Sequence, residues 1–170
     1  VMGYRNKRFT TWYDKICEGT NISPELLADE CYQIFQSKVA ISSGGLFGLG
    51  PGTSRARWGS LPNSWTDFIA SIAAEEYGFF GLLILILALF SLTISFFGLG
   101  LTSENEFTRL FFVGMGAWVL IQTVFNLGGI VGLLPITGIV LPFVAYGNSA
   151  MVSIFIGLTM AYAKDNNEDL

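Results

Sequence analysis

From Leu110 through Ala163 the chain carries no Asp, Glu, Lys or Arg, and a second charge-free run separates Glu76 from Glu104. A water-soluble domain needs charged side chains at shorter intervals than this to cover its surface. With 52% hydrophobic and only 13% charged residues and a mean hydropathy of +0.55, the chain falls in the membrane class. As a helix, the run from about Gly78 to Leu101 is long enough to cross a hydrocarbon core of roughly 30 Å, for which about 20 apolar residues suffice. It reads as one span. The longer run exceeds a single crossing and is interrupted by Gly128, Gly129, Gly132, Pro135, Gly138 and Pro142. It reads as two helices, about 110–127 and 144–163, joined by a Gly/Pro turn over 128–143. The expected fold class is all-α: a polytopic helical membrane segment with about three transmembrane helices, a long loop over 1–77, a connection over 102–109 and a polar tail over 164–170. A chain that starts at Val1 without an initiator Met or a signal-like opening is expected to be part of a longer polytopic protein.

Composition also excludes chemistry. Without any His, neither a Ser-His-Asp nor a Cys-His nucleophilic arrangement exists in this segment. Cys17 and Cys31 are too few for a structural zinc site; a disulfide and two unpaired thiols both remain open. The net charge of −4 speaks against nucleic acid. The basic cluster Arg5, Lys7 and Arg8 is interleaved with Tyr4, Phe9, Trp12 and Tyr13, a mixture suited to membrane lipid at an interface.

The loop over 1–77 is longer than a connector needs to be, and loops of that kind tend to carry function. A short helix is expected from about Pro24 to Ile41. The Gly-rich centre from Ser42 to Ser54 lacks the Lys-Ser or Lys-Thr of a P-loop, and Gly48-Leu-Gly50-Pro-Gly52 lacks the spacing of a dinucleotide site. What remains is a tightly turning loop followed by Arg55 and Arg57. Two arginines beside free backbone N–H groups suit a phosphate or pyrophosphate, and equally suit anchorage to lipid headgroups. Next, Leu61-Pro62 and Ser64-x-x-Asp67 announce a helix with a capping box, placing Asp67 in its first turn. Asp67, Ser71 and Glu75 then follow at i, i+4 and i+8 as a polar strip on an apolar helix. Asp67 and Glu75 would lie about 12 Å apart along the axis, too far to act as paired carboxylates. Acid–base work would rest on one carboxylate.

Several of these residues carry a resemblance to a known family. Gln36-Ser37, Ser43-Gly-Gly-Leu-Phe-Gly48, Leu61-Pro62, Thr66-Asp-Phe-Ile69, Glu75-Glu76 and Gly78 resemble the large extracytoplasmic loop and following helix of the SEDS family (shape, elongation, division and sporulation). The run from Asn126 through Gly132, Pro135, Gly138, Pro142 and Tyr146 to Ser149 resembles that family's C-terminal signature. The sequence departs from the family where Ala145-Tyr146-Gly147-Asn148 stands in place of Ser-Tyr-Gly-Gly, and in the longer stretch from Asp14 to Cys31 that holds both cysteines.

The resemblance implies a bacterial cytoplasmic-membrane, multi-pass peptidoglycan glycosyltransferase that polymerises lipid II outside the membrane. In that frame Asp67 matches the family's essential aspartate and takes the proton of the acceptor hydroxyl. Arg55 and Arg57 suit the leaving pyrophosphate, Ser71 and Glu75 line the polar strip near the site, and a divalent cation such as Mg2+ is an open cofactor. Implied partners are lipid II, a class B penicillin-binding protein transpeptidase, other division-complex proteins and membrane lipid. A division-type polymerase is preferred over an elongation-type one; a lipid II flippase and a non-catalytic scaffold are the other function classes. The implied topology runs 78–101 inward, 110–127 outward and 144–163 inward, with a cytoplasmic tail. Charge bias does not fix this orientation, because Arg5, Lys7, Arg8, Lys15, Lys38, Arg55 and Arg57 all precede Asp67, in a segment too long for the positive-inside rule. Activity is not expected from the segment alone.

Overall fold

The computed structural model describes residues 32–59, 61, 64–146, 151–152 and 154–159. The cysteines, the basic-aromatic cluster and residues 24–31 of the first expected helix lie outside them. The described residues are helical with no strand. Helix α1 spans Tyr32–Gly44, a short 3₁₀ turn covers Ala56–Trp58, α2 spans Ile69–Thr102 and α3 spans Glu106–Val131. Residues 151–152 and 154–159 are also helical, inside the expected last span. Helices α2 and α3 are both long and apolar enough to cross a membrane.

The two spanning helices form an antiparallel pair whose tight connection explains why the loop expected over 102–109 is shorter. Asn105 caps α3, its side-chain oxygen accepting from the N–H groups of Phe107 (2.9 Å) and Thr108 (3.5 Å), and Glu106 favours the positive end of the helix. At the other end α3 runs through Gly128 and Gly129, which the sequence reading placed in the turn. The stop is Gly132, in the left-handed conformation at φ 82°, where Leu133 N donates to Gly128 O at 2.8 Å. Gly128 is tolerated inside the helix because the returning chain packs there: a Cβ would stand 2.6 Å from the Leu134 side chain.

Helix α2 is broken at Gly78, with φ 70° and ψ −167°, a conformation open essentially to glycine alone. In an unbroken helix, Phe79 N and Phe80 N would donate to Glu75 O and Glu76 O. The Gly-rich loop takes over both pairings. Phe79 N donates to Gly45 O (2.9 Å) and Phe80 N to Leu46 O (3.3 Å), while Leu49 N and Gly50 N donate to Glu75 O (2.9 Å) and Glu76 O (3.0 Å). The four groups of these two lost pairings are all satisfied by the loop, which a chain entering lipid requires. The close approach explains the glycines: a Cβ on Gly48 would lie 2.1 Å from Glu76 O, one on Gly44 2.0 Å from Ala74 O, and one on Gly78 2.3 Å from Gly48 N.

Side chains complete the join. Ser37 on α1 donates to Ile130 O on α3 at 2.9 Å. Because that uses its proton, its 2.8 Å contact with Ser71 on α2 is donated by Ser71. All three helices therefore meet at one pair of buried hydroxyls. Around them lies a core of Ala40, Ala56, Leu61, Phe68, Ala70, Leu89, Ile130 and Leu141.

Gly78→Ala is expected to destabilise the protein by about 3 kcal/mol or more, combining backbone strain of about 1–3 kcal/mol with a backbone clash. Gly98→Ala, where an added Cβ meets nothing within 4 Å, is expected to be neutral or slightly stabilising. Thermal unfolding of both variants in the same detergent checks the contrast.

Candidate active site

Asp67 lies in a turn over residues 64–68, ahead of α2. The expected capping box is not formed. Phe68 stands at the cap position without a side-chain cap bond, and Asp67 precedes the helix rather than sitting in its first turn. The cause is tertiary. Trp65 O accepts from Tyr146 N at 3.1 Å, and Asp67 O accepts from the Asn126 side-chain amide at 2.8 Å. These bonds draw the segment out of helical register and toward the chain that follows α3.

Asn126 is the residue that the sequence reading left without a role. Buried near the end of α3, its Nδ2 donates both to Asp67 O and to Ile139 O, each at 2.8 Å. One amide thus joins three segments: the spanning helix, the Asp67 turn and the Gly/Pro segment. The available signal was an amide near the end of an otherwise uncharged span, since polar groups at such depth are costly and carry a purpose.

Between these segments lies an open depression of about 210 Å³, lined in part by Asp67, Asn126, Thr137 and Gly138. Gly138, with φ 72°, keeps the wall low opposite the carboxylate, as a Cβ there would come 3.6 Å from Asp67 Oδ2. Asp67 is half-buried, and its carboxylate makes no hydrogen bond among the described residues, so it is left able to accept one from a bound molecule. The two sequence motifs, 61–78 and 126–149, therefore meet at Asp67.

The other expected site residues are placed differently. Glu75, 2% exposed, is fully engaged: Ser54 Oγ donates at 2.6 Å and the N–H groups of Arg55 and Ala56 each at 3.2 Å, while Ser43 Oγ, which donates to Ala40 O at 2.9 Å, lies 3.3 Å away. A carboxylate holding three donors pins the loop to α2. Ser71 is spent on Ser37. Neither lines the depression, so the polar strip expected at i, i+4 and i+8 resolves into a lone site carboxylate and two residues that hold helices and loop together.

Arg57 lies over the rings of Trp65 (4.2 Å) and Trp58 (5.5 Å), with Nη1 3.6 Å from Glu76 Oε1. Its guanidinium is thus stacked on the residue two positions before Asp67 and partly balanced by a carboxylate. The Arg55 side chain is exposed, while its backbone belongs to the Glu75 cluster. Among the described residues no three of His, Cys, Asp and Glu come together.

Glu75→Ala is expected to strand three donors and lower stability by on the order of 3 kcal/mol. Asp67→Asn, whose carboxylate makes no hydrogen bond among the described residues, is expected to leave the unfolding temperature unchanged. Parallel thermal melts of the two variants test this division of labour.

The chain is similar to several known proteins. The family described as "Cell cycle protein" (FtsW, RodA, SpoVE) matches residues 1–168. The chain is 44% identical over 131 residues to the probable peptidoglycan glycosyltransferase FtsW of Enterococcus hirae, covering 76% of this chain and 33% of the relative. To the FtsW of the same description from Bacillus subtilis it is 47% identical over 120 residues, covering 71% and 30%. To the stage V sporulation protein E of Bacillus subtilis it is 35% identical over 159 residues, covering 91% and 40%. The chain thus spans about a third of the length of the curated relatives it matches. Among solved structures, one described as "Structural coordination of polymerization and crosslinking by a peptidoglycan synthase complex" is similar at a TM-score of 0.66 and 25% identity, covering 96% of this chain and 42% of that one. With a family match over nearly its whole length and these relatives beside it, the chain belongs to the FtsW, RodA and SpoVE family, the SEDS proteins.

Proposed function

We propose that the protein to which this chain belongs is a peptidoglycan glycosyltransferase of the division type, polymerising lipid II, with Asp67 as general base. The observation that carries the reading is the Asp67 carboxylate. Among the described residues it has no hydrogen-bond partner, and it stands beside an open depression on a backbone tethered at Trp65 O and Asp67 O. The relatives named as probable peptidoglycan glycosyltransferases support the reaction class.

In the proposed step Asp67 takes the proton of the acceptor GlcNAc 4-hydroxyl as that oxygen bonds to the anomeric carbon of the donor MurNAc. The bond from that carbon to the pyrophosphate oxygen breaks, its electron pair leaves with undecaprenyl pyrophosphate, and the proton rests on Asp67. General-base assistance of this kind contributes about 10²–10⁴-fold. Arg55 and Arg57 are the cations assigned to the leaving pyrophosphate. The Arg55 side chain is exposed, and the Arg57 guanidinium is stacked on Trp65 and faces Glu76. The described carboxylates form no group of three around a common centre. Mg2+ carried on substrate phosphates needs only one or two protein carboxylates.

The site is placed on the extracytoplasmic side of the bacterial cytoplasmic membrane, in a multi-pass protein. A class B penicillin-binding protein is the proposed partner, in line with the pairing of polymerization and crosslinking in the solved complex.

The test is glycan-strand synthesis from lipid II by the full-length protein with its transpeptidase partner. Asp67→Asn is expected to lower polymer formation by about 10²–10⁴-fold at unchanged folded yield. Equal polymer from both proteins would remove Asp67 from the chemistry, and none from the wild type would remove polymerisation from the protein.

A further inference from the structure

The tip of the Gly-rich loop is strongly apolar and firmly held. Phe47 is 82% exposed, the highest value for a large hydrophobic side chain among the described residues, and neighbouring Leu46 is 59% exposed. This exposure does not come from a loose segment. Four backbone hydrogen bonds lock residues 45–50 alongside α2, and a fifth, Gly48 N to Gly44 O at 2.8 Å, closes the turn itself. Phe47 therefore cannot fold away from what surrounds it.

The hydrogen-bond register fixes the depth of the tip. Leu49 and Gly50 pair with Glu75 and Glu76, whereas Gly45 and Leu46 pair with Phe79 and Phe80. The loop thus descends past the last charges before the span, and Leu46 lies level with Phe80, inside the run that stays uncharged until Glu104. There the Phe47 ring lies 5.6 Å from that of Phe80, and Phe79 and Phe80 are themselves 54% and 48% exposed. No charged residue occurs between Lys38 and Arg55. The result is an aromatic ledge continuous with a spanning helix, placed where rings favour the boundary between headgroups and acyl chains.

We infer that residues Leu46 and Phe47 form a membrane-inserted wedge: the loop dips into the bilayer interface beside α2, and lipid covers the ledge. Irregular backbone is favoured at that depth by the four hydrogen bonds that pair the loop with the helix across the break at Gly78. The wedge fixes the height of the loop, and with it that of Asp67, relative to the membrane surface. The inference rests on the spanning helix and does not depend on glycosyl transfer.

The test places a nitroxide at Phe47→Cys, and separately at Leu46→Cys, in the full-length protein with its other cysteines replaced by serine. Thr53→Cys, at the exposed far end of the same loop, serves as the aqueous reference. In phosphatidylcholine and phosphatidylglycerol vesicles, collision with oxygen, which concentrates in lipid, is expected to exceed collision with a water-soluble nickel chelate several-fold at 46 and 47. The order is expected to reverse at 53. A chelate-favoured signal at 46 and 47 would put the loop in water, and weak collision with both probes would mean that another protein segment covers the ledge. Either result overturns the inference.

Discussion

The exchange of backbone hydrogen bonds at Gly78 is the constraint on which the other features depend. A helix broken at the membrane boundary exposes carbonyls and N–H groups where lipid offers no partner, and each left unpaired would cost several kcal/mol. Here Glu75 O, Glu76 O, Phe79 N and Phe80 N are all taken by a single loop. That solution demands glycine on both sides, at Gly44 and Gly48 on the loop and Gly78 on the helix, because the two backbones touch. Once the loop is fixed, the Glu75 carboxylate is placed to gather Ser43, Ser54, Arg55 and Ala56. The long polar segment is thereby tied to a spanning helix instead of trailing in water.

The site inherits its rigidity from the same join. Asp67 is presented by a turn that is not itself regular structure, yet it is braced from several directions. Phe68 is buried in the core, Tyr146 and Asn126 hold the backbone on either side of Thr66, and Arg57 covers Trp65. A carboxylate that must meet a hydroxyl within hydrogen-bond reach gains from such bracing, since small misplacements cost large factors in rate. Charge is also segregated. Glu75 is held by donors and Glu76 faces Arg57, whereas the Asp67 carboxylate makes no hydrogen bond among the described residues and stands beside the depression.

Much of this was legible before any coordinates. The missing charges marked both spans, and Gly78 at the edge of the first run marked its start. The resemblance joined 43–48 to 75–78 and singled out Asp67, and these segments prove to be in contact. The misreadings have local causes. Ser64-x-x-Asp67 satisfies a capping pattern, but tertiary bonds to Trp65 O and Asp67 O override that local preference. Gly128 and Gly129 look like helix breakers, yet they remain helical because the chain that returns from Gly132 packs onto them. Ser71 and Glu75 do share a helix, but periodicity cannot tell a carboxylate beside an open depression from one already surrounded by donors. Asn126 was missed because its partners are backbone carbonyls distant in sequence, which no side-chain spacing reveals.

The most direct test of the central claim is amide hydrogen exchange on the full-length protein in lipid nanodiscs, followed at Leu49, Gly50, Phe79 and Phe80. If the loop replaces the helix's own pairing across Gly78, all four amides exchange slowly and together, and Gly48→Ala speeds all four while leaving the middle of α3 protected. Fast exchange at Leu49 and Gly50 in the unaltered protein, with Phe79 and Phe80 still protected, would show an unbroken helix beside a detached loop and contradict the account.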